Sequence, residues 1–314
     1  MTNLLIRKIG RTSITLTLVI AVAFVILRLS GDPAVLILGV DAPQAALEAF
    51  RKSHGLDQPV LTQFFLYLKA VASGDFGRSL IDGRNALDVV LGHLPITLIL
   101  TLPSLLLAAA IGVCAGIWAA ARKDTISDRL ATLFAVSGYT VPGFVLGSIL
   151  VLIFSVWLRW LPSGGSSDAS SAILPIITLS LYSAAQIARF TRSAMVDALS
   201  QPYIRTALAK GVGWRSIVLQ HALPNAAIPL VTILGLMVGN LTVGAVIVEN
   251  VFAWPGVGSL LVNSVQTRDL PVVQCILLMV GATMVISNLL VDLLYGWLDP
   301  RIRTGLHSGR GSRN

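Results

Sequence analysis

Long apolar runs alternate with short polar stretches along this chain, and the lengths of the runs decide its class. A helix needs roughly 20 mainly apolar residues to cross about 30 Å of hydrocarbon. Six segments approach or exceed that length: Ser13–Leu29, Pro95–Ala121, Leu130–Leu158, Ile173–Ala188, Ala226–Val248 and Val272–Trp297. The fourth is the weakest, because Arg189 and Arg192 close it early. The pattern predicts an all-α membrane protein with six transmembrane helices. Six crossings place both termini on one side.

Between the first two spans lies the only sizeable polar piece, residues 30–94. Pro43–His54 and Pro59–Ser73 have helical punctuation, each headed by proline and followed by Gly55 or Gly74. Asp75-Phe76-Gly77 reads as a turn. So short a segment cannot bury much of a core of its own. It is expected to form a small external helical insertion on the outer ends of the spans. The first span has a basic flank, yet Arg28, Ser30, Gly31 and Asp32 follow its apolar core in place of a small-x-small cleavage site. It therefore reads as a retained anchor. The expected organisation is 1–29 (cytoplasmic N-terminus and first span), 30–94 (external segment), 95–297 (five-helix membrane core) and 298–314 (cytoplasmic tail).

Composition agrees. Of 314 residues 55% are hydrophobic and 12% charged, with mean hydropathy +0.81. Soluble domains carry about 25% charged residues, so a soluble globular fold is excluded. Disorder, which needs low hydrophobicity, is excluded too. The formal charge is +8, from 23 Lys and Arg against 15 Asp and Glu. Fifteen of those 23 basic residues fall in 1–12, 122–129, 189–225 and 298–314, all on one face of a six-span chain. Basic loops stay in the cytoplasm, so both termini are expected there. The charge is a topology signal, and no nucleic-acid role follows from it.

Catalytic and metal chemistry find no foothold. Phosphate loop, H-E-x-x-H and G-x-S-x-G patterns are all missing. His54, His93, His221 and His307 are scattered, Cys114 and Cys275 lie in apolar runs, and no cofactor is expected. An ion-coupled carrier, the rival from another class, would bury carboxylates near the midplane. The nearest acids, Glu249 and Asp292, fall toward the span ends. Gly112-x-x-x-Gly116, Gly143-x-x-x-Gly147 and Gly235-x-x-x-Gly239 offer close helix approach. Pro103 and Pro142 fall within spans. Span four carries Ser180, Tyr182, Ser183 and Gln186, which face the bundle interior either as translocation-path lining or as plain interhelical packing.

The most informative loop is 189–225. Ser200-Gln201-Pro202 opens a helix continued by Tyr203–Lys210, Gly211 ends it in the left-handed conformation, and a second short helix fits Trp214–Leu223 before Pro224. Ala207 and Ala209 leave one face low in bulk. Such a knuckle suits a groove on a cytoplasmic partner.

This segment resembles the EAA loop of ABC importer permeases: E-A-A, three residues, Gly, nine residues, I-x-L-P. Arg205-Thr206-Ala207 takes the first place, Gly211 the glycine, and His221-Ala222-Leu223-Pro224 the last. The variant, with Lys210 before the glycine, is similar to the dipeptide/oligopeptide permease branch. Gly31-Asp32-Pro33, Gly74-Asp75-Phe76-Gly77-Arg78-Ser79, Val248–Gly256, Arg268-Asp269 and Asp299-Pro300-Arg301 agree with that branch in order. The resemblance implies a type I ABC importer permease fold. It also implies a non-catalytic subunit working with a second homologous permease, two cytoplasmic ATP-binding subunits and an external solute-binding protein. Arg205, Thr206, Ala207, Lys210, Gly211, His221, Leu223 and Pro224 would form the ATPase-coupling loop. Di- or oligopeptides are the expected cargo, with nickel chelates, glutathione, opines or haem as alternatives.

Overall fold

The computed structural model describes residues 32–298, apart from 40 and 54, and scattered positions between 10 and 25. The expected first span and the tail beyond Leu298 therefore lie largely outside the described residues. The elements are α1 Pro33–Leu38, α2 Gln44–Ser53, α3 Val60–Ala72, α4 Ala86–Ala121, α5 Ile126–Thr140, α6 Gly143–Leu150, α7 Ile173–Leu199, α8 Pro202–Ala209, α9 Leu223–Val251, α10 Val257–Gln266 and α11 Leu270–Leu298. A π-helical stretch, Val151–Trp157, continues α6, and another, Ile217–Ala222, leads into α9.

Among the described residues three helices are long and apolar enough to cross a membrane, within Ala86–Ala121, Ala169–Leu199 and Leu270–Val291. A fourth counts if Trp214–Ala227 and Pro229–Gly239, which meet at 55°, form one bent span. Pro229 inside α9 accounts for the bend, since it removes a helix hydrogen bond. The expected third span is two helices. Val141 before Pro142 is forced out of the helical region, to φ −79° and ψ 120°. Span four is longer than Arg189 and Arg192 suggested, for α7 continues to Leu199.

The chain folds as two compact units, the first drawn from residues 1–98 and 253–283, the second from 99–252 and 284–314. In the first, Asp32 caps α1, its Oδ1 accepting from the Ala34 amide at 2.9 Å, while Arg51 pairs with its Oδ2 at 2.6 Å. Ala86, Val89 and Val90 bury against Val257, Val272, Cys275 and Ile276, which is why α4 starts well before Pro95. The Trp254 indole donates to the Ile96 carbonyl at 3.0 Å, and the Val257 amide to Thr97 Oγ1 at 2.8 Å. The turn after Gly77 is pinned by Asp269, which accepts from the Ser79 hydroxyl and, at 3.0 Å, from the Leu80 amide.

The second unit is built around α7. Of its apolar window 72% is buried, against 22% for α4, so α7 is encased by protein while α4 shows its Leu102–Leu106 side outward. Close approach is bought with glycine. A Cβ on Gly112 would lie 2.6 Å from Ile187 Cβ and 2.8 Å from the Ala184 carbonyl. One on Gly116 would collide with Thr191, and one on Gly138 would meet Ala185 Cβ at 2.7 Å. The other expected glycine pairs divide. Gly147 lies against Phe252 and Thr178, Gly235 against Val291 and Gly239 against Met284, whereas Gly143 heads α6 in open space.

Valine at Gly112 or Gly116 is therefore expected to cost about 1–3 kcal/mol through overpacking, and alanine at Gly143 next to nothing. Thermal unfolding of the purified subunit in detergent checks both.

Candidate coupling segment and its anchoring

Residues 200–226 divide into an inward and an outward face. Ile204 and Ala207, one helical turn apart on α8, are 2% and 8% exposed. They join Ile217, Val218, Ala222 and Ala226 in one cluster with Ala120 of α4 and Met195 and Ala198 of α7. The knuckle is therefore seated on the ends of α4 and α7. Tyr203, Arg205, Thr206, Leu208, Ala209 and Lys210 form the outward face. Ala207 and Ala209, expected to leave one face low in bulk, fall on different sides, Ala207 buried and Ala209 exposed. Helical spacing carries Ala207 inward with Ile204.

α8 ends as a Schellman motif. The Gly211 amide donates to the Leu208 carbonyl at 2.9 Å and the Val212 amide to the Ala207 carbonyl at 3.1 Å. Gly211 has φ +78°, and an added Cβ would meet nothing within 4 Å. The demand for glycine is thus conformational rather than steric. The expected second short helix is not separate: Trp214–Ser216 passes through the π-helical Ile217–Ala222 straight into α9. Pro224 does not stop it; it is the second residue of α9, directly after the π-helical stretch, where the regular hydrogen-bond ladder is already interrupted. The His221 carbonyl accepts from Asn225 Nδ2 at 2.7 Å, and Leu223 is half-buried against the cluster. The Gly211 turn thus connects α8 to a segment that runs without a break into α9.

Span four's polar residues separate as well. Ser180 is fully buried, its hydroxyl directed at the Ile176 carbonyl (2.5 Å) and the Ser104 carbonyl of α4 (3.3 Å). The second of these contacts joins α7 to α4. Ser183 is buried, whereas Tyr182 and Gln186 are half-buried.

The residues missed in the sequence are Asp128 and Arg192. The guanidinium forks the carboxylate, Nε to Oδ1 at 2.5 Å and Nη2 to Oδ2 at 2.7 Å. It thereby ties the start of α5 to α7 just before the knuckle. Oδ2 also accepts from the Asp124 amide at 3.0 Å, and Thr125 caps α5. The Asp128 side chain is only 5% exposed. Hydrogen bonding from Arg192, opposed by burial, holds its carboxyl down at about 2, below the ordinary 3.8. A signal was present: Thr125-Ile126-Ser127-Asp128 is a helix-start pattern, and Arg192 is a charge inside a helical run.

Residues 112–304 match the family described as binding-protein-dependent transport system inner membrane component, and residues 1–101 match its N-terminal region. The chain belongs to this permease family. It is 43% identical, over 96% of its own length and 99% of theirs, to proteins named glutathione transport system permease protein GsiC from Escherichia coli strain K12 and Shigella dysenteriae serotype 1. A solved chain described as an amino acid ABC transporter with histidines aligns with TM-score 0.48 and 19% identity, over 68% of this chain and 94% of that one. A permease of this family is the membrane subunit of an ATP-driven ABC importer, so the helical core built on α7 is transport machinery.

Removing one partner of the fork strands a buried charge. Arg192→Ala is expected to lower stability by about 3 kcal/mol, the low end for a broken buried pair, because Arg192 itself is 30% exposed. A depressed carboxyl stabilises the fold above its unfolded value, and that contribution fades as it protonates. The gap between wild type and Arg192→Ala should therefore be full at neutral pH and shrink as pH falls from 3.8 toward about 2. Unfolding in detergent across that range measures it.

Proposed function

We propose that this permease imports glutathione or similarly short peptides handed over by an external solute-binding protein. It would pair with a second homologous permease and be driven by two separate cytoplasmic ATP-binding subunits, itself catalysing nothing. The 43% identity over nearly the whole of both chains supports the cargo class, because the relatives are named for glutathione transport. The concentration of basic residues in 122–129 and 189–225 supports an inward-facing knuckle.

The observation that carries the mechanism is the division of α8 into a seated face and an outward one. Tyr203, Arg205, Thr206, Leu208 and Lys210 enter a groove on the ATP-binding subunit. Ile204 and Ala207 hold the knuckle to the ends of α4 and α7, and the Gly211 turn passes the displacement to α9. Closure of the ATPase pair on ATP then tilts α5, α7 and α9 toward an outward-open cavity. Tyr182 and Gln186 line the path in this reading. Residues 30–94 and 249–271 receive the loaded binding protein. They hold nine acids and six bases, so shape and hydrogen bonding outweigh charge steering.

Proteoliposomes holding both permeases and both ATP-binding subunits should take up glutathione or dipeptides only with ATP inside and binding protein outside. Uptake driven by a pH gradient without the ATPases would overturn the proposal. Gly211→Val, strained by about 1–2 kcal/mol at positive φ, should leave the complex assembled and hydrolysing ATP while transport falls at least ten-fold. Gly211→Asn, which tolerates that conformation, should retain most transport. Wild-type uptake by the valine variant would remove the coupling role.

A further inference from the structure

Beside α8 the second unit carries a groove walled by the end of α4, the end of α7 and the segment leading into α9. One part, about 540 Å³, is lined by Arg122, Lys123, Thr125, Leu199, Ser200 and Trp214. A second part, about 360 Å³, shares Arg122 and Trp214 and adds Arg215 and Leu219. The two parts run together along those shared walls. Three cations thus converge on one concave surface, and among the described residues none of them makes an ion pair. The nearby acids lie outside the groove lining, although the Lys123 charge is felt by the Asp128 carboxylate. Asp128 is held by Arg192, while Asp124 and Asp197 are exposed and line neither part.

Topology explains basic residues on this side, yet it does not explain their company. Arg122 lies over the Trp118 ring at 5.0 Å, and Trp118 and Trp214 are 45% and 47% exposed. Tryptophan with a stacked arginine at the end of an apolar helix is the composition of the headgroup layer. Arg122 follows the last residue of α4 directly, so the groove opens where hydrocarbon gives way to headgroups. Ile126 and Leu219, 76% and 56% exposed, flank it with apolar surface suited to acyl chains. A protein partner of the knuckle would address the outward face of α8 instead.

We propose that this groove binds the phosphate headgroup of an anionic phospholipid, with Arg122, Lys123 and Arg215 as phosphate ligands and Trp214 packing on the glycerol region. The assignment rests on the inward orientation proposed above, which exposes the groove to the cytoplasmic leaflet.

The test is native mass spectrometry of the complete transporter, released from bilayer discs of phosphatidylcholine with a minority of phosphatidylglycerol. Wild type should retain phosphatidylglycerol over phosphatidylcholine, and added inorganic phosphate should not displace it. Arg122→Gln/Lys123→Gln should reduce that retention more than ten-fold, since each basic side chain at an anionic surface is worth roughly five-fold. Arg129→Gln, a neighbouring cation outside the groove, should leave retention unchanged. Equal retention of both lipids by wild type overturns the site, and so does displacement by inorganic phosphate. Loss of the ATP-binding subunits from the double variant with phosphatidylglycerol retained would make the groove a protein interface. Lipid retention is read without transport, so a failure of the proposed uptake leaves this measurement standing by itself.

Discussion

Close backbone approach around α7 is the constraint on which the membrane core depends. Inside a bilayer, apolar side chains gain little by meeting each other rather than lipid, so helices associate through tight packing. Gly112, Gly116 and Gly138 omit side chains where α4 and α5 meet Ala184–Thr191 of α7. Ser104 and Ser180 add a polar seam to the same pair of helices. Because α7 is fixed on several sides, it is a rigid post rather than a flexible wall. It continues unbroken to Leu199, beside the knuckle.

Irregularities in the other helices fall where their backbone groups can be looked after. Pro142 splits the third span and Pro229 bends the fifth, while π-helical turns follow α6 and precede α9. The carbonyls such breaks release need neighbours or water. α7 is thus an uninterrupted helix among neighbours that are broken by proline or π-helical turns.

The Asp128–Arg192 fork and the α8 cluster occupy the same end of this post. One fixes α5 to α7 through charge, the other seats the knuckle through apolar burial. The eight-residue α8 is thereby seated on the same end of α4 and α7 that the fork ties to α5.

Span length, basic-loop asymmetry and the glycine-bend motif were legible in the sequence, because each depends on local composition or on one residue's allowed dihedrals. Hydropathy located the membrane helices Ala86–Ala121, Ala169–Leu199 and Leu270–Val291, and Gly211 announced its positive φ. The ends of α4 and α7 were misjudged, since burial by distant segments and a partnered arginine extended them. Which face of α8 points outward, that Ser180 is buried beside α4, and that Asp128 meets Arg192 were visible only in three dimensions. Those outcomes depend on residues far apart in the chain, and no local pattern records which neighbours meet.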